Sequence, residues 1–140
     1  MNAVEKWYQV MKSNNLDALD NLLAEDVVFY SPVVFTPQKG KEITKMYLMA
    51  ASGVLGDTET KDLEDKDKDK SSFKYIKEII GASSALLEFE TEMEGIYVNG
   101  VDLITWNEQG QITEFKVIVR PLQAVNMLHQ KMQSMLESMN

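Results

Sequence analysis

Between Ser84 and Val98 the sequence alternates with a period of two: Ala85, Leu87, Phe89, Thr91 and Met93 interleave with Glu88, Glu90, Glu92 and Glu94. Only an extended strand sends successive side chains to opposite faces, so this stretch predicts a sheet with one apolar and one acidic face. Asn99-Gly100 then separates Val98 from Val101. That dipeptide is the strongest short-range hairpin signal, because both central residues of a type I′ turn need positive φ. A turn there sets Tyr97 opposite Asp102, Gly95 opposite Ile104 and Met93 opposite Trp106. Further strands are expected over Phe73 to Ile80, Val101 to Trp106 and Gln111 to Val119, the last with Thr113, Phe115, Val117 and Val119 on one side. These segments predict a curved antiparallel sheet.

Helical spacing governs the N-terminal part. Val4, Trp7, Tyr8 and Met11 form one stripe, Asn14 and Asn15 supply a turn and a cap, and Leu16, Leu19, Leu22 and Leu23 form a second stripe. Val27 to Ser31 reads as a strand ended by Pro32, with Val27, Phe29 and Ser31 on one face. Ile43, Met46, Tyr47, Ala50 and Val54 predict a third helix closed near Gly53 and Gly56. After Pro121 a Met-rich stripe through Leu122, Val125, Leu128, Met132, Met135, Leu136 and Met139 predicts a last amphipathic helix, packed on the sheet or on a neighbouring subunit. Helices followed by strands give the α+β class. Between them, residues 57–70 hold seven acidic and four basic residues around one leucine, too little apolar surface to offset ordering entropy, and read as a mobile loop.

A chain of 140 residues suits a single domain, residues 1–140. Its 22 acidic against 14 basic residues give a net charge of -8, which repels nucleic-acid phosphates, so no nucleic-acid partner is expected. No apolar run reaches the ~20 residues that cross a bilayer, and the N-terminus lacks a basic segment followed by an apolar one; no membrane partner and a cytoplasmic location are expected. With no cysteine, disulfides, thiolate metal sites and cysteine nucleophiles are ruled out. Phosphate-binding glycine loops, zinc-spaced histidines and serine nucleophile elbows do not occur either. The expected chemistry is free of cofactor and metal.

One residue does not fit its surroundings. Asp102 falls on the face otherwise made of Leu87, Phe89, Met93, Ile104, Trp106, Phe115 and Val117. Two readings stand. A desolvated carboxyl there has a raised pKa, stays protonated and can polarise a carbonyl oxygen. Alternatively, two residues beyond a hairpin turn, it is solvated at the sheet's edge or bonded to Tyr97. His129, the single histidine, has no carboxylate or second histidine near it in sequence and reads as structural or exposed.

The segments LDALDNLLAEDVVFYSP (Leu16 to Pro32), GKEITKMYL (Gly40 to Leu48) and GVDLITWNEQGQITEFK (Gly100 to Lys116), in this order, resemble the nuclear transport factor 2-like superfamily, also called SnoaL-like or ketosteroid isomerase-like. The resemblance implies a cone-shaped barrel, its curved sheet wrapped around the N-terminal helices, with a further C-terminal helix. Where ketosteroid isomerases place a tyrosine, an aspartate base and a second, neutral aspartic acid, this chain has Trp7, Ser31 and Asp102. Where limonene epoxide hydrolases pair an arginine with two aspartates, Asp102 is matched while Gly100 and Val117 fill the other places. In a SnoaL-type cyclase Asp102 is again the match, with His129 an outside candidate.

Two functions follow as expectations. The first is a pocket for a small apolar ligand lined by Trp7, Phe29, Ser31, Tyr47, Tyr97, Trp106 and Phe115, with Asp102 as the catalytic acid of an isomerase, cyclase or hydrolase and Ser31 and Tyr47 orienting the ligand. The second is a non-catalytic dimeric scaffold or interaction module whose cavity is filled by side chains. A homodimer is expected under both.

Overall fold

A computed structural model describes residues 2–13, 15–54 and 73–138. The acidic stretch 57–70, Gly56 and Met139 lie outside the described residues. Along the chain run α1 (Ala3–Ser13), α2 (Leu16–Leu22), β1 (Leu23–Tyr30), β2 (Gln38–Lys39), α3 (Lys41–Val54), β3 (Lys74–Ile80), β4 (Ser84–Met93), β5 (Ile96–Trp106), β6 (Ile112–Arg120) and α4 (Leu122–Ser138).

Asn15 caps α2, its side-chain oxygen accepting from the N–H groups of Asp17 and Ala18. Leu23, expected at the end of that helix, already has extended backbone and starts β1. Among the described side chains of α3 the buried ones are Thr44, Leu48 and Ala50, while Tyr47 is half-buried and stacks on Phe29 with ring centroids 5.3 Å apart. The six strands form one sheet in the order β2-β1-β6-β5-β4-β3. Every pair is antiparallel except β1 and β6, which run parallel and set Phe29 beside Phe115. The sheet is therefore mixed at one junction, because β1 arrives from α2 next to a strand laid down near the end of the chain.

The hairpin between β4 and β5 departs from expectation. Its turn is at Glu94-Gly95, where φ is 52° and 83°, and Asn99-Gly100 lies inside β5. A turn at Glu94 gives β5 eleven residues, and ten of the β4 residues pair with it, from Ser84↔Thr105 to Met93↔Ile96. A turn at Asn99 would leave six residues, Val101 to Trp106, for the same ladder. The longer ladder outweighs the local turn preference. Asp102 thus faces Leu87 and Val117 instead of Tyr97.

Asn99 and Gly100 have other uses. Buried Asn99 donates to Glu88 Oε2 at 3.0 Å and to the Phe89 carbonyl at 2.9 Å, and accepts from Arg120 Nε at 2.8 Å. A Cβ at Gly100 would come within 2.6 Å of both the Ile118 carbonyl oxygen and Phe89 Cζ, so the missing side chain is what lets the Phe89 ring lie across β5. Gly100→Ala is expected to cost about 1–3 kcal/mol, because a backbone carbonyl cannot yield cheaply. Denaturant unfolding measures it, and a neutral result means that the two strands separate more easily than this contact implies.

The inner face of the sheet packs against α1, α2 and α3 through Val4, Trp7, Leu19, Leu22 and Leu48, all buried. Below it a second cluster joins Phe89, Met93 and Val98 to Ala124 and Leu128 of α4, so the Met-rich helix covers the sheet of its own chain. Leu122, expected in its apolar stripe, is exposed, as is His129.

Candidate functional site

Strand periodicity brings Asp102 inward. On β5 the even-numbered Val98, Gly100, Asp102 and Ile104 are all buried, and Asp102 is 6% exposed. Burial raises its carboxyl from 3.8 to about 7, against a smaller lowering by a hydrogen bond from Tyr75. The edge-solvated alternative fails: Asp102 sits on a central strand, between Leu87 of β4 and Val117 of β6.

The partner is Tyr75 on β3. Its hydroxyl donates to Asp102 Oδ2 at 2.6 Å and accepts from Trp7 Nε1 at 3.1 Å, with Met11 Sδ 3.4 Å away. Burial first, then the Asp102 charge, push the Tyr75 pKa well above its ordinary value, so Tyr75 keeps its proton near neutrality. A bulge follows Tyr75, after which every residue of β3 is exposed. Next to this group, Tyr8 bonds Glu78 and its ring lies 5.5 Å from that of Tyr75.

Asp102 and Tyr75 border a cavity of about 100 Å³. Trp7, Phe29, Phe73, Phe89 and Phe115 supply aromatic walls, and Met11, Met49 and Met132 supply flexible ones. Phe73 stacks on Phe89 at 5.1 Å, and Trp7 meets Phe115 edge-on at 4.8 Å. No lysine, arginine or histidine lines the cavity among the described residues. Among the described residues, three histidines, aspartates or glutamates do not gather there as a metal would need either.

Of the residues expected to line a pocket, Trp7, Phe29 and Phe115 do so alongside Asp102. The other four do not. Ser31 leaves the strand and its Oγ accepts from the Val33 N–H, a local turn bond. Tyr47 stands behind Phe29. Tyr97 is 50% exposed, since it shares a strand with Asp102 at an odd spacing and so points to the other face. Trp106 follows a bulge and borders a separate cleft with Asn2, Ser83 and Asn107.

Tyr75 is the functional residue that sequence reasoning passed over. The available signal was Phe73 and Tyr75 two apart, which puts two aromatics on one face at the start of the expected strand. Tyr75→Phe is expected to raise the Asp102 midpoint above about 7, because the bond it removes holds the carboxyl down. Leaving the Trp7 N–H without its acceptor adds a cost of about 1–3 kcal/mol. Carbon NMR titration of the carboxyl together with urea unfolding checks both, and an unmoved or lowered midpoint contradicts the assignment.

No family model and no curated protein matches the chain. Solved structures do. The chain is similar to a steroid delta-isomerase from Pseudomonas aeruginosa, with 28% identity over 97% of this chain and 90% of that one and a TM-score of 0.81. It is also similar to an uncharacterized bacterial protein with a cystatin-like fold from Silicibacter pomeroyi, with 26% identity over 94% of this chain and 83% of that one and a TM-score of 0.78. The epoxide hydrolase/cyclase-like enzyme SalBIII, which acts in pyran ring formation in polyether salinomycin, shares the fold at 15% identity, 86% and 89% coverage and a TM-score of 0.62.

Proposed function

We propose that this chain, which has the fold of the nuclear transport factor 2-like, or SnoaL-like, superfamily, binds a small, neutral, apolar compound through one acceptor oxygen, a carbonyl or an epoxide, held against Asp102. The carrying observation is the buried Asp102–Tyr75 pair at 2.6 Å on the wall of an otherwise apolar cavity. In its neutral form Asp102 is a hydrogen-bond donor, and in a water-poor site that donor stabilises charge developing on the ligand oxygen far better than water does. The reaction this suits is a cofactor-free isomerisation, cyclisation or hydrolysis with Asp102 as the acid. With a pKa of about 7 it can give up and recover a proton near neutral pH. Trp7, at the α1 place where the ketosteroid isomerases that this chain resembles have a tyrosine, acts through Tyr75 as a positioning residue, and the phenol at the site reaches in from β3.

Binding of a neutral ketone should then follow the protonated fraction of Asp102. The affinity of cyclohex-2-enone, measured by calorimetry, is expected to hold up to about pH 7 and to fall toward tenfold per pH unit above it. In Asp102→Asn the pH dependence should vanish. Equal affinity of the parent protein at pH 6 and pH 9 rules the reading out.

The outer face of the sheet supports a homodimer. Ile79, Leu86 and Leu103 pair in a row across β3, β4 and β5, and Val101 pairs with Ile118 of β6. Ile79 is 59% and Ile118 53% exposed, an apolar patch that a second copy would cover. Ile118→Glu is expected to convert a dimer to monomers on sizing chromatography, and a monomeric parent protein disposes of the idea.

A further inference from the structure

The size and walls of the cavity restrict what can occupy it. At about 100 Å³ it is on the scale of the roughly 150 Å³ cavity known to hold benzene in a protein core, and well under the ~300–1,000 Å³ of pockets for drug-sized ligands. The restriction is built in on the sheet side. Phe89 is fixed over Gly100, where even one added carbon would collide with it, and Phe73 stacks on Phe89 in turn. Trp7 of α1 and Phe115 of β6 hold each other edge-on, and Trp7 is further held by its bond to Tyr75. Only the methionines can move at low cost, which adjusts the shape of the cavity without adding the volume of several rings.

Charge restricts it as well. With no cationic side chain on the wall among the described residues, an anionic ligand would find none of them to pair with beside Asp102. A ligand with several polar groups would leave all but one facing hydrocarbon, each at a cost of about 1–3 kcal/mol.

We propose that the ligand is a neutral compound of one ring, or an acyclic chain of similar bulk, carrying a single acceptor oxygen, and that fused-ring ketones are excluded by the Phe73–Phe89 wall. This rests on the reading of Asp102 as the donor to that oxygen. The chain's lack of cysteine makes enones usable probes without addition to a thiol.

The test titrates the full-length protein with three neutral ketones of one, two and four rings: cyclohex-2-enone, 1-tetralone and androst-4-ene-3,17-dione. The carbon resonance of the Asp102 carboxyl and the melting temperature are followed throughout. Cyclohexenone is expected to raise the Asp102 midpoint and the melting temperature. Tetralone should bind at least tenfold more weakly, and the four-ring ketone should move neither signal. Phe73→Ala should bring tetralone to within threefold of cyclohexenone, and Met132→Ala serves as a second enlargement if Phe73→Ala does not fold. Should the two-ring or four-ring ketone bind the parent protein as tightly as cyclohexenone while shifting Asp102, the size limit is overturned and the donor role stands. If no ketone moves the Asp102 resonance, the donor role falls, and the proposed ligand class falls with it.

Discussion

Replacing Asp102 with asparagine will flatten the dependence of stability on pH and make the protein more stable than its parent in alkaline buffer. In the unfolded chain the carboxyl ionises near its ordinary 3.8, whereas in the folded protein it holds its proton to about 7. Below pH 4 both states are protonated and Asp102 contributes nothing to the pH slope. Between pH 4 and 7 the folded state binds the extra proton, so stability falls as pH rises. Above 7 both states are ionised and the loss is complete. A separation of roughly three pH units at about 1.4 kcal/mol each amounts to about 4 kcal/mol. Asparagine keeps the shape and the acceptor for the Tyr75 hydroxyl but has no proton to lose. Urea unfolding of the two proteins at pH 4.5 and 8.5 measures the difference. Near-equal stability is expected at the lower pH and an advantage of several kcal/mol for Asp102→Asn at the higher one. If both proteins lose stability in parallel as the pH rises, the carboxyl is not desolvated and the proposed donor is lost with it.

Phe115→Ala is the second large effect, with the opposite sign. Phe115 is fully buried on β6, beside Phe29 of β1 in the one parallel pair of the sheet and edge-on to Trp7 of α1. It is therefore the side chain through which the first strand, the last strand and the first helix meet. Truncating such a ring costs about 3–5 kcal/mol, from lost transfer energy and from the void left behind. Against a total stability of about 5–15 kcal/mol this is a severe loss, and a melting temperature lower by on the order of 10 °C is expected. The vacated volume adjoins the cavity beside Asp102, so under the proposed function the same substitution should admit 1-tetralone, whose binding should restore part of the lost stability. A loss under about 1 kcal/mol would mean that the surrounding side chains collapse into the space; tetralone would then gain nothing.

The two substitutions report on different properties of the same cavity. Asp102→Asn tests its polarity, and Phe115→Ala tests its packing. The proposed donor lies among apolar walls, where a desolvated polar group is costly unless it is matched by a partner. The same burial holds Asp102 protonated and keeps the Tyr75 proton in place.

Sequence alone determined what depends on periodicity. The 3.6-residue stripes placed Val4 and Trp7 in the core, and Asn15 acted as the helix cap it resembled. The two-residue alternation of β4 put Leu87 and Phe89 inward, and the same parity put Asp102 on their face. That last inference survived an incorrect turn. Moving the hairpin from Asn99-Gly100 to Glu94-Gly95 exchanged Tyr97 for Leu87 as the neighbour of Asp102, an even-numbered shift, and an even shift leaves Asp102 on the same face as Leu87 and Phe89. The same move put Tyr97 in Asp102's own strand at an odd spacing, which turned it outward.

Only the tertiary structure decided which turn forms, since a ten-residue ladder, the buried bonds of Asn99 and the seat of Phe89 over Gly100 are distant in sequence from the dipeptide they override. It also decided the partner of Asp102. Tyr75 lies 27 residues away on a strand that is otherwise exposed, and no local pattern could pair the two. Periodicity fixes the direction of a side chain relative to its own backbone, which short-range geometry controls. What that side chain meets is set by the packing of whole elements, which depends on the entire chain at once.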